Sequence, residues 1–497
     1  MASHSRSETG ATLISSSPTT SKFEDTAPLS SAGSGIIPPT HPARTLVLCF
    51  DGTGDQFDAD NSSVIEFFRL LKKDDRTQQM AGIGTYTAPQ VATPLVAKFS
   101  KAVDDAIAWN LHAHVMAGYE FVMQNYMAGD RICIFGFSRG AYTARGLAGM
   151  IHKVGVLPSD NHQQVPFAYK MYTKADKVGW AQSNAFKKAF SIDVKIEYLG
   201  VWDTVSSVGI IPKRLPFTTS NTIIRTFRHA ISLDERRAKF KQNCWNRPNA
   251  VEEKLGTHST NRKLPTSVHR SGGKNSLKAF EREYSQDSPI ETDVEEVWFA
   301  GCHCDVGGGS VANDTKPNLA RIPLRWMIRE CFKTNTGILF HSELLKDVGI
   351  DPDCLYPEVL DRPPPLPVEG HHIQHIPSSS ALKAQAAAAA SSDQQHQTEE
   401  EMELADALSP IYDQLSLKWV WWILEFWPIR MRRQLENNAW LSYLGWNLGR
   451  GRRVPRQHSD GVKVHRSVKM RLDARYPDGS KYVPRADLDE RYITWVD

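Results

Sequence analysis

The chain has no disulfide framework. Its seven cysteines are an odd number, and Cys49 and Cys133 lie inside apolar runs, where a buried thiol packs as a small hydrophobe. This excludes a cysteine-stapled secreted scaffold and favours a reducing compartment. Charge of one sign is also missing: 59 Lys and Arg against 56 Asp and Glu leave a formal net charge of +3, too little to argue for nucleic acid as a partner. Met1 is not followed by an apolar stretch, so no signal peptide is expected. The Trp-rich run from Trp419 to Pro428 is broken by Glu425 and Pro428 and is shorter than the ~20 residues a bilayer span requires. No repeat of fixed period is visible. These absences lead to the expectation of a cytoplasmic protein whose contact with a membrane, if any, is peripheral.

What is present is a large apolar fraction, 41% of 497 residues, enough for a sizeable core and more than one ordinary domain needs. Within it, Gly136-Phe137-Ser138-Arg139-Gly140 follows the apolar run Arg131 to Phe135 and precedes the helix-like stretch Ala141 to Ala148. A serine between glycines at a strand-to-helix turn is a nucleophile elbow: the tight turn excludes flanking side chains and pushes the hydroxyl outward at the positive end of a helix. Such a serine needs a base and a group that orients the base, in the chain order Ser, Asp or Glu, His. Lys195 to Val205 reads as a strand delivering Asp203 at its C-terminal end, and Val297 to Gly309 as a strand ending in His303. We therefore expect Ser138 as nucleophile, His303 as general base and then acid, and Asp203 as its orienting carboxylate.

Other readings compete at each position. Asp203 before Thr204 could cap a turn, His303 could be a core histidine, and Asp305, two residues beyond, is the runner-up acid. Cys302-His303-Cys304 hints at a metal, but neighbouring strand residues point to opposite faces and no second cysteine pair has ligand spacing, so no metal or cofactor is expected. A further strand, Thr45 to Phe50, ends in Asp51-Gly52-Thr53-Gly54-Asp55. The N–H of Arg139, with that of Gly52 or Thr53, is suited to an oxyanion hole; the alternative is an ordinary Asp-Gly turn. A phosphate loop is disfavoured because the Gly-Lys-Ser/Thr ending is missing.

Six ordered segments carry a resemblance to a known family: Leu48 to Gly54, Gly82-Ile83-Gly84-Thr85, Gly136 to Arg145, Tyr198 to Val205, Arg228-His229-Ala230 with Asp234-Glu235-Arg236-Arg237, and Phe299 to Gly309. Together they resemble a large α/β-hydrolase family that long carried only an unknown-function label, is expanded in fungi, and includes the phospholipase effectors of bacterial type VI secretion. The resemblance covers roughly residues 44–335, with weaker echoes at 415–430 and 464–485. It implies hydrolysis of carboxylic esters of lipids, with the family's serine, aspartate and histidine falling on Ser138, Asp203 and His303. It also implies the fold class: α/β, a mostly parallel sheet with helices on both faces, plus insertions and a C-terminal helical extension. In one place the chain departs from the family. The run before Gly82, Thr77-Gln78-Gln79-Met80-Ala81, is polar where a strand is usual.

Composition divides the chain into a Ser/Thr/Pro-rich tail over 1–43 and a catalytic domain over 44–335, with a cap-like insertion at about 206–293. A Pro-rich connection at 336–375, a low-complexity linker at 376–402 and a Trp-rich, basic extension at 403–497 follow. Arg228 to Phe240 reads as a helix whose His229 is structural. Trp419, Trp421, Trp422 and Trp427 read as part of a helix packed on the hydrolase core, and the arginines from Arg450 to Arg456 as a solvated face. The alternative places these indoles at lipid headgroups with arginines on phosphates. The expected activity is a serine esterase acting on a lipid or another acyl ester. An amidase or thioesterase of the same fold, or a silent scaffold, is the alternative.

Overall fold

Apolar residues alternate along the chain in the runs Thr45–Thr53, Arg131–Phe137 and Ile196–Trp202, and the alternation sorts them onto two faces of one sheet. Val47, Cys49, Cys133, Phe135, Phe137, Tyr198 and Trp202 join one core, whereas Leu46, Leu48, Phe50, Ile132, Ile134, Leu199 and Val201 join the other. Burial on both faces is what a parallel sheet covered by helices requires. The computed structural model describes residues 35–53, 60–73, 78–86, 96–205, 214–246, 277–278, 280–281, 284–285, 291–377, 397–435 and 439–497. The expected N-terminal tail up to residue 34, about half of the 206–293 insertion and residues 378–396 of the low-complexity segment lie outside the described residues, and the described part of that insertion includes a strand of the central sheet, Ile224–Ser232, rather than a cap.

The sheet strands are β1 (Thr45–Thr53), β2 (Gln79–Tyr86), β3 (Arg131–Phe137), β4 (Ile196–Trp202), β5 (Ile224–Ser232) and β6 (Asp293–Phe299). After a separate antiparallel hairpin of β7 (Ile429–Gln434) and β8 (Trp440–Gly445), the chain adds β9 (Val462–His465) and β10 (Ile493–Val496). The eight-stranded order is β10-β9-β6-β5-β4-β3-β1-β2, and every neighbouring pair is parallel. Helices α1 (Ser63–Leu70), α2 (Val96–Asn125), α3 (Ser138–Val154), α4 (Val165–Thr173) and α5 (Lys177–Phe190) come before β4. They are followed by α6 (His303–Gly307), α7 (Arg321–Lys333), α8 (Glu399–Ala407) and α9 (Arg466–Asp473). The α/β fold is thus the expected one, and the C-terminal extension supplies two sheet strands in addition to helices.

Three local expectations are corrected. Arg228 and His229 lie in the central strand β5, not in a helix, and both side chains are buried. Their polarity is absorbed by partners: Arg228 pairs with Glu330 and Asp293 at 2.7 Å each, and His229 Nδ1 meets Glu296 Oε1 at 2.9 Å. The strand that was to end in His303 stops at Phe299, and His303 opens the short helix α6. The polar run at Gln79 does form a strand. Its side-chain amide donates to the carbonyls of Lys72 and Leu339 and accepts from Leu339 N–H at 2.7 Å, so the glutamine satisfies backbone groups at the sheet edge.

On the C-terminal side, Glu403, His465 and Asp497 gather closely enough to suggest a metal site. Two arginines already neutralise that cluster, with Arg466 at 2.6 Å from Glu403 and 3.0 Å from Asp497 and Arg362 at 2.8 Å from Glu403. It is an ion-pair network fastening α8 to α9. Among the described residues no helix is long and apolar enough to cross a membrane.

The turn between β3 and α3 is tightly packed against backbone. A Cβ on Gly140 would stand 2.2 Å from the carbonyl oxygens of both Phe50 and Asp51, and one on Gly136 would stand 2.6 Å from Gly140 O. Because these obstacles are backbone atoms of a central strand and helix, they cannot move aside. Gly140→Ala is expected to lose at least about 2 kcal/mol of folding stability, seen as a lowered urea midpoint at unchanged slope.

Candidate active site

Helix α3 begins at Ser138 immediately after strand β3 ends at Phe137. Reversing direction without a loop forces Ser138 to φ +58°, a left-handed conformation that costs a non-glycine residue about 1–2 kcal/mol. Asp203 follows β4 directly and is bent in the same sense, at φ +41°. The loop after Asp203 is held by His229, whose Nε2 accepts the Thr204 N–H at 3.1 Å. His303 is carried by α6, and Gly307 in that helix lies so close to Phe137 that a Cβ there would enter its ring, 1.9 Å from an edge carbon. All three side chains therefore hang from the C-terminal ends of parallel strands, the side of an open α/β sheet that carries ligands.

They meet in one chain of hydrogen bonds. Ser138 Oγ lies 2.7 Å from His303 Nε2, and His303 Nδ1 lies 2.5 Å from Asp203 Oδ2. The imidazole is clamped between Phe137 and Phe240, with ring centroids 4.7 and 4.9 Å away. Burial alone would raise the Asp203 carboxyl, but the Arg452 guanidinium and the His303 hydrogen bond outweigh it and hold it well below the usual carboxylate range. An ionised Asp203 accepts from Nδ1–H, which leaves the Nε2 lone pair facing the serine hydroxyl. Burial depresses the His303 pKa below 6.5 despite the Asp203 hydrogen bond, so the ring is neutral at neutral pH.

Arg452 is the residue that sequence reasoning missed. It grips Asp203 in a fork, Nη1 to Oδ1 at 2.5 Å and Nη2 to Oδ2 at 2.8 Å, and also donates to Phe240 O and Ser232 Oγ. Arg452 and Asp203 are separated by 249 positions in the chain, and both are buried. Nothing in the stretch Arg450 to Arg456 marked one arginine as internal; the solvated-face reading holds for Arg450 and Arg453, which are exposed.

The remaining candidates fall around this chain. Asp305 does not reach the imidazole. Its carboxyl, pushed up to about 6 by burial, accepts from Cys302 N–H, Ser310 Oγ and Tyr412 N–H at 2.7–3.0 Å and so staples the α6 loop. Gly52 N–H donates to Asp51 Oδ1 at 2.7 Å, which also accepts from Ser62 Oγ at 2.5 Å. That ties the end of β1 to Ser62, the cap of α1, while Gly140 in the first turn of α3 packs against the carbonyls of Phe50 and Asp51. The family segment Asp234 to Arg237 supports the histidine: Glu235 accepts from His303 N–H at 3.3 Å and pairs with Arg237, and Asp234 accepts from Gly301 N–H and Tyr482 Oη at 2.7 Å each. The Trp-rich run is not a packed core helix. It forms short turns of helix in which Trp421 and Trp422 are half-buried and Trp419 and Trp427 are exposed.

This fold and site define an α/β protein of hydrolase type, with a serine, a histidine and a carboxylate in series at the strand ends. The chain belongs to the family described as the catalytic domain of Tle1-like phospholipase effectors of the type VI secretion system, which it matches over residues 44–330. It is 28% identical to the uncharacterized protein YEL023C of Saccharomyces cerevisiae over 89% of this chain and 82% of that one. Among solved structures it is similar to an uncharacterized protein from Pseudomonas aeruginosa, at 16% identity and a TM-score of 0.30 over 74% of this chain and 53% of that one. It is also similar to the Tle1 effector bound to the VgrG spike, at 16% identity and a TM-score of 0.27 over 54% of this chain and 52% of that one. The chain spans about half the length of these two structures.

Replacing Arg452 by Met keeps much of the volume but leaves the Asp203 carboxylate buried and uncompensated. The expected loss is about 3–5 kcal/mol, measured by urea denaturation at neutral pH. Acid unfolding should also begin at higher pH than in the wild type. Asp203 is held below its unfolded value of about 3.9, so its contribution is present above that pH and disappears as pH falls through the folded value. Without Arg452 the folded value rises and the loss comes earlier, as a circular dichroism titration would show.

Proposed function

We propose that the protein is a serine hydrolase of carboxylic esters whose substrates are lipids, most directly phospholipids. The observation that carries this is the Ser138–His303–Asp203 series, with each contact within hydrogen-bonding distance. Membership of the Tle1-like phospholipase family supports the lipid class of substrate.

In this reading His303 Nε2 removes the Ser138 hydroxyl proton as Oγ attacks the ester carbonyl, and Asp203 balances the imidazolium that forms. The negative oxygen is received by Arg139 N–H and by an N–H of the Gly52–Thr53 turn; Gly52 N–H meets Asp51 Oδ1 at 2.7 Å and would have to turn from it to serve. His303 then protonates the departing alcohol. The acyl group stays on Ser138 until a water, deprotonated by His303, releases the acid and restores the serine. Arg452 is a positioning residue here: it fixes the Asp203 carboxylate and, by neutralising part of its charge, keeps the basicity of His303 low.

Fluorophosphonate labelling of the purified chain tests the mechanism. Wild type should label, and Ser138→Ala and His303→Ala should not; a wild type that fails to label, or a Ser138→Ala variant that still hydrolyses esters, would overturn it. Asp203→Asn is expected to lower kcat by about three to four orders of magnitude, by analogy with the same change in a serine protease. Because neutral His303 is the base and its pKa is depressed, kcat/KM on a soluble ester should rise through an apparent pKa below 6.5 and be flat at neutral pH.

A further inference from the structure

We propose that the Trp-rich turn and the β7–β8 hairpin form a docking surface for an anionic phospholipid bilayer, an inference that rests on the lipid-ester reading above. A buried carboxylate organises this surface. Glu425, 1% exposed, accepts from Ala238 N–H at 2.5 Å, Asn447 Nδ2 at 2.6 Å and Gly449 N–H at 2.8 Å, so the turn, the exit of the hairpin and the loop beside the catalytic histidine are fastened together. Around this polar pin the large apolar groups face outward: Trp419 is 74% exposed, Leu444 71%, Trp427 65%, Phe426 64% and Trp446 56%. Isolated exposed apolar residues are ordinary, whereas a cluster held out by its own buried hydrogen bonds marks an interaction surface.

The chemistry of the cluster selects a bilayer. Indoles prefer the headgroup level of a membrane, where one edge is apolar and the other wet. Residues 414–456 hold eight Lys and Arg (Lys418, Arg430, Arg432, Arg433, Arg450, Arg452, Arg453, Arg456) against the two acids Glu425 and Glu436. Glu425 is buried, Arg452 is committed to Asp203 and Arg456 pairs with Asp460, which leaves Lys418, Arg430, Arg432, Arg450 and Arg453 as exposed cations. Two of these cations sit directly beside exposed apolar groups. Lys418 precedes Trp419, and Arg430 faces Leu444 across the hairpin ladder, so both share one face of the ribbon. A four-residue helix and a two-stranded ribbon cannot cross a bilayer, so the surface lies in the interface.

The position of the surface suits the reaction. Trp421 packs edge-on against Phe240 at 5.6 Å, and Phe240 packs edge-on against His303 at 4.9 Å, so few rings separate the docked face from the catalytic imidazole.

Vesicle co-sedimentation of the full chain carrying Ser138→Ala tests this, because it reads binding without turnover. With phosphatidylcholine vesicles containing phosphatidylserine the protein should pellet, and with phosphatidylcholine alone it should pellet weakly. Adding either Trp419→Ser/Trp427→Ser/Leu444→Ser or Lys418→Ser/Arg430→Ser should weaken the first by more than about tenfold. The same sets in a chain with Ser138 intact should hydrolyse a water-soluble short-chain ester at the wild-type rate, which shows that the fold and site are unaffected. Failure to pellet with either vesicle, or pelleting that the substitutions leave unchanged, would overturn the proposal. So would a dimer in solution that the apolar set dissociates, since the surface would then belong to a second copy. A wild type without esterase activity would strike only the ester-hydrolase reading, because the binding arm does not depend on it.

Discussion

The ion pair between Arg452 and Asp203 is the constraint on which the site depends. It joins the C-terminal extension to the end of strand β4, and both partners are removed from water. Burying two charges carries a desolvation cost that attraction offsets only when geometry and further hydrogen bonds are good. Here the guanidinium forks onto both carboxylate oxygens and spends its remaining donors on Phe240 O and Ser232, while Ser232 N–H and Oγ return to Asp203. The carboxylate is thereby ionised, immobile and already partly compensated. An imidazole facing such a group keeps the tautomer a base requires and has less electrostatic support for its charged form than one facing a free aspartate.

Backbone strain is the second feature of the site, which holds two of the seven non-glycine residues with positive φ among the described residues. Ser138 and Asp203 both have left-handed φ values without being glycine, and both sit directly at the end of a central strand. The sheet between them is buried on both faces, and Phe135, Trp202 and Phe67 pack around the same strand ends with ring centroids 4.3–6.3 Å apart. Packing of that density can hold a conformation that an isolated turn would relax.

Buried carboxylates perform a related task in the surrounding loops. Asp234 joins Gly301 to Tyr482 and Arg485, Asp305 joins Cys302 to Tyr412, and Glu425 joins Ala238 to Asn447 and Gly449. Each fastens a loop near His303 to the C-terminal extension. The extension is consequently a wall of the site whose inner side supplies Arg452 and Trp421 and whose outer side presents aromatic residues and cations.

The legible part of the protein was local. A period of two in apolar runs, a serine between glycines where a strand meets a helix, and the chain order of Ser138, Asp203 and His303 are all written in short segments, because strand pleat and turn sterics act over a few residues. The same local reasoning misplaced His229, since a polar residue in a central strand is recognisable only once Glu296 and the Thr204 N–H are seen to satisfy it. It gave no strand at Gln79 in the resemblance, because a side chain that bonds a neighbouring backbone looks like an ordinary polar residue. Arg452 could not be distinguished from Arg450 or Arg453, because pairing across 249 positions leaves no spacing to read. Sequence by itself determined which atoms could react and on what kind of turn they sit. Only the tertiary structure decided which acid meets the histidine, which arginine meets that acid, and which tryptophans face solvent, because those depend on burial and long-range contact.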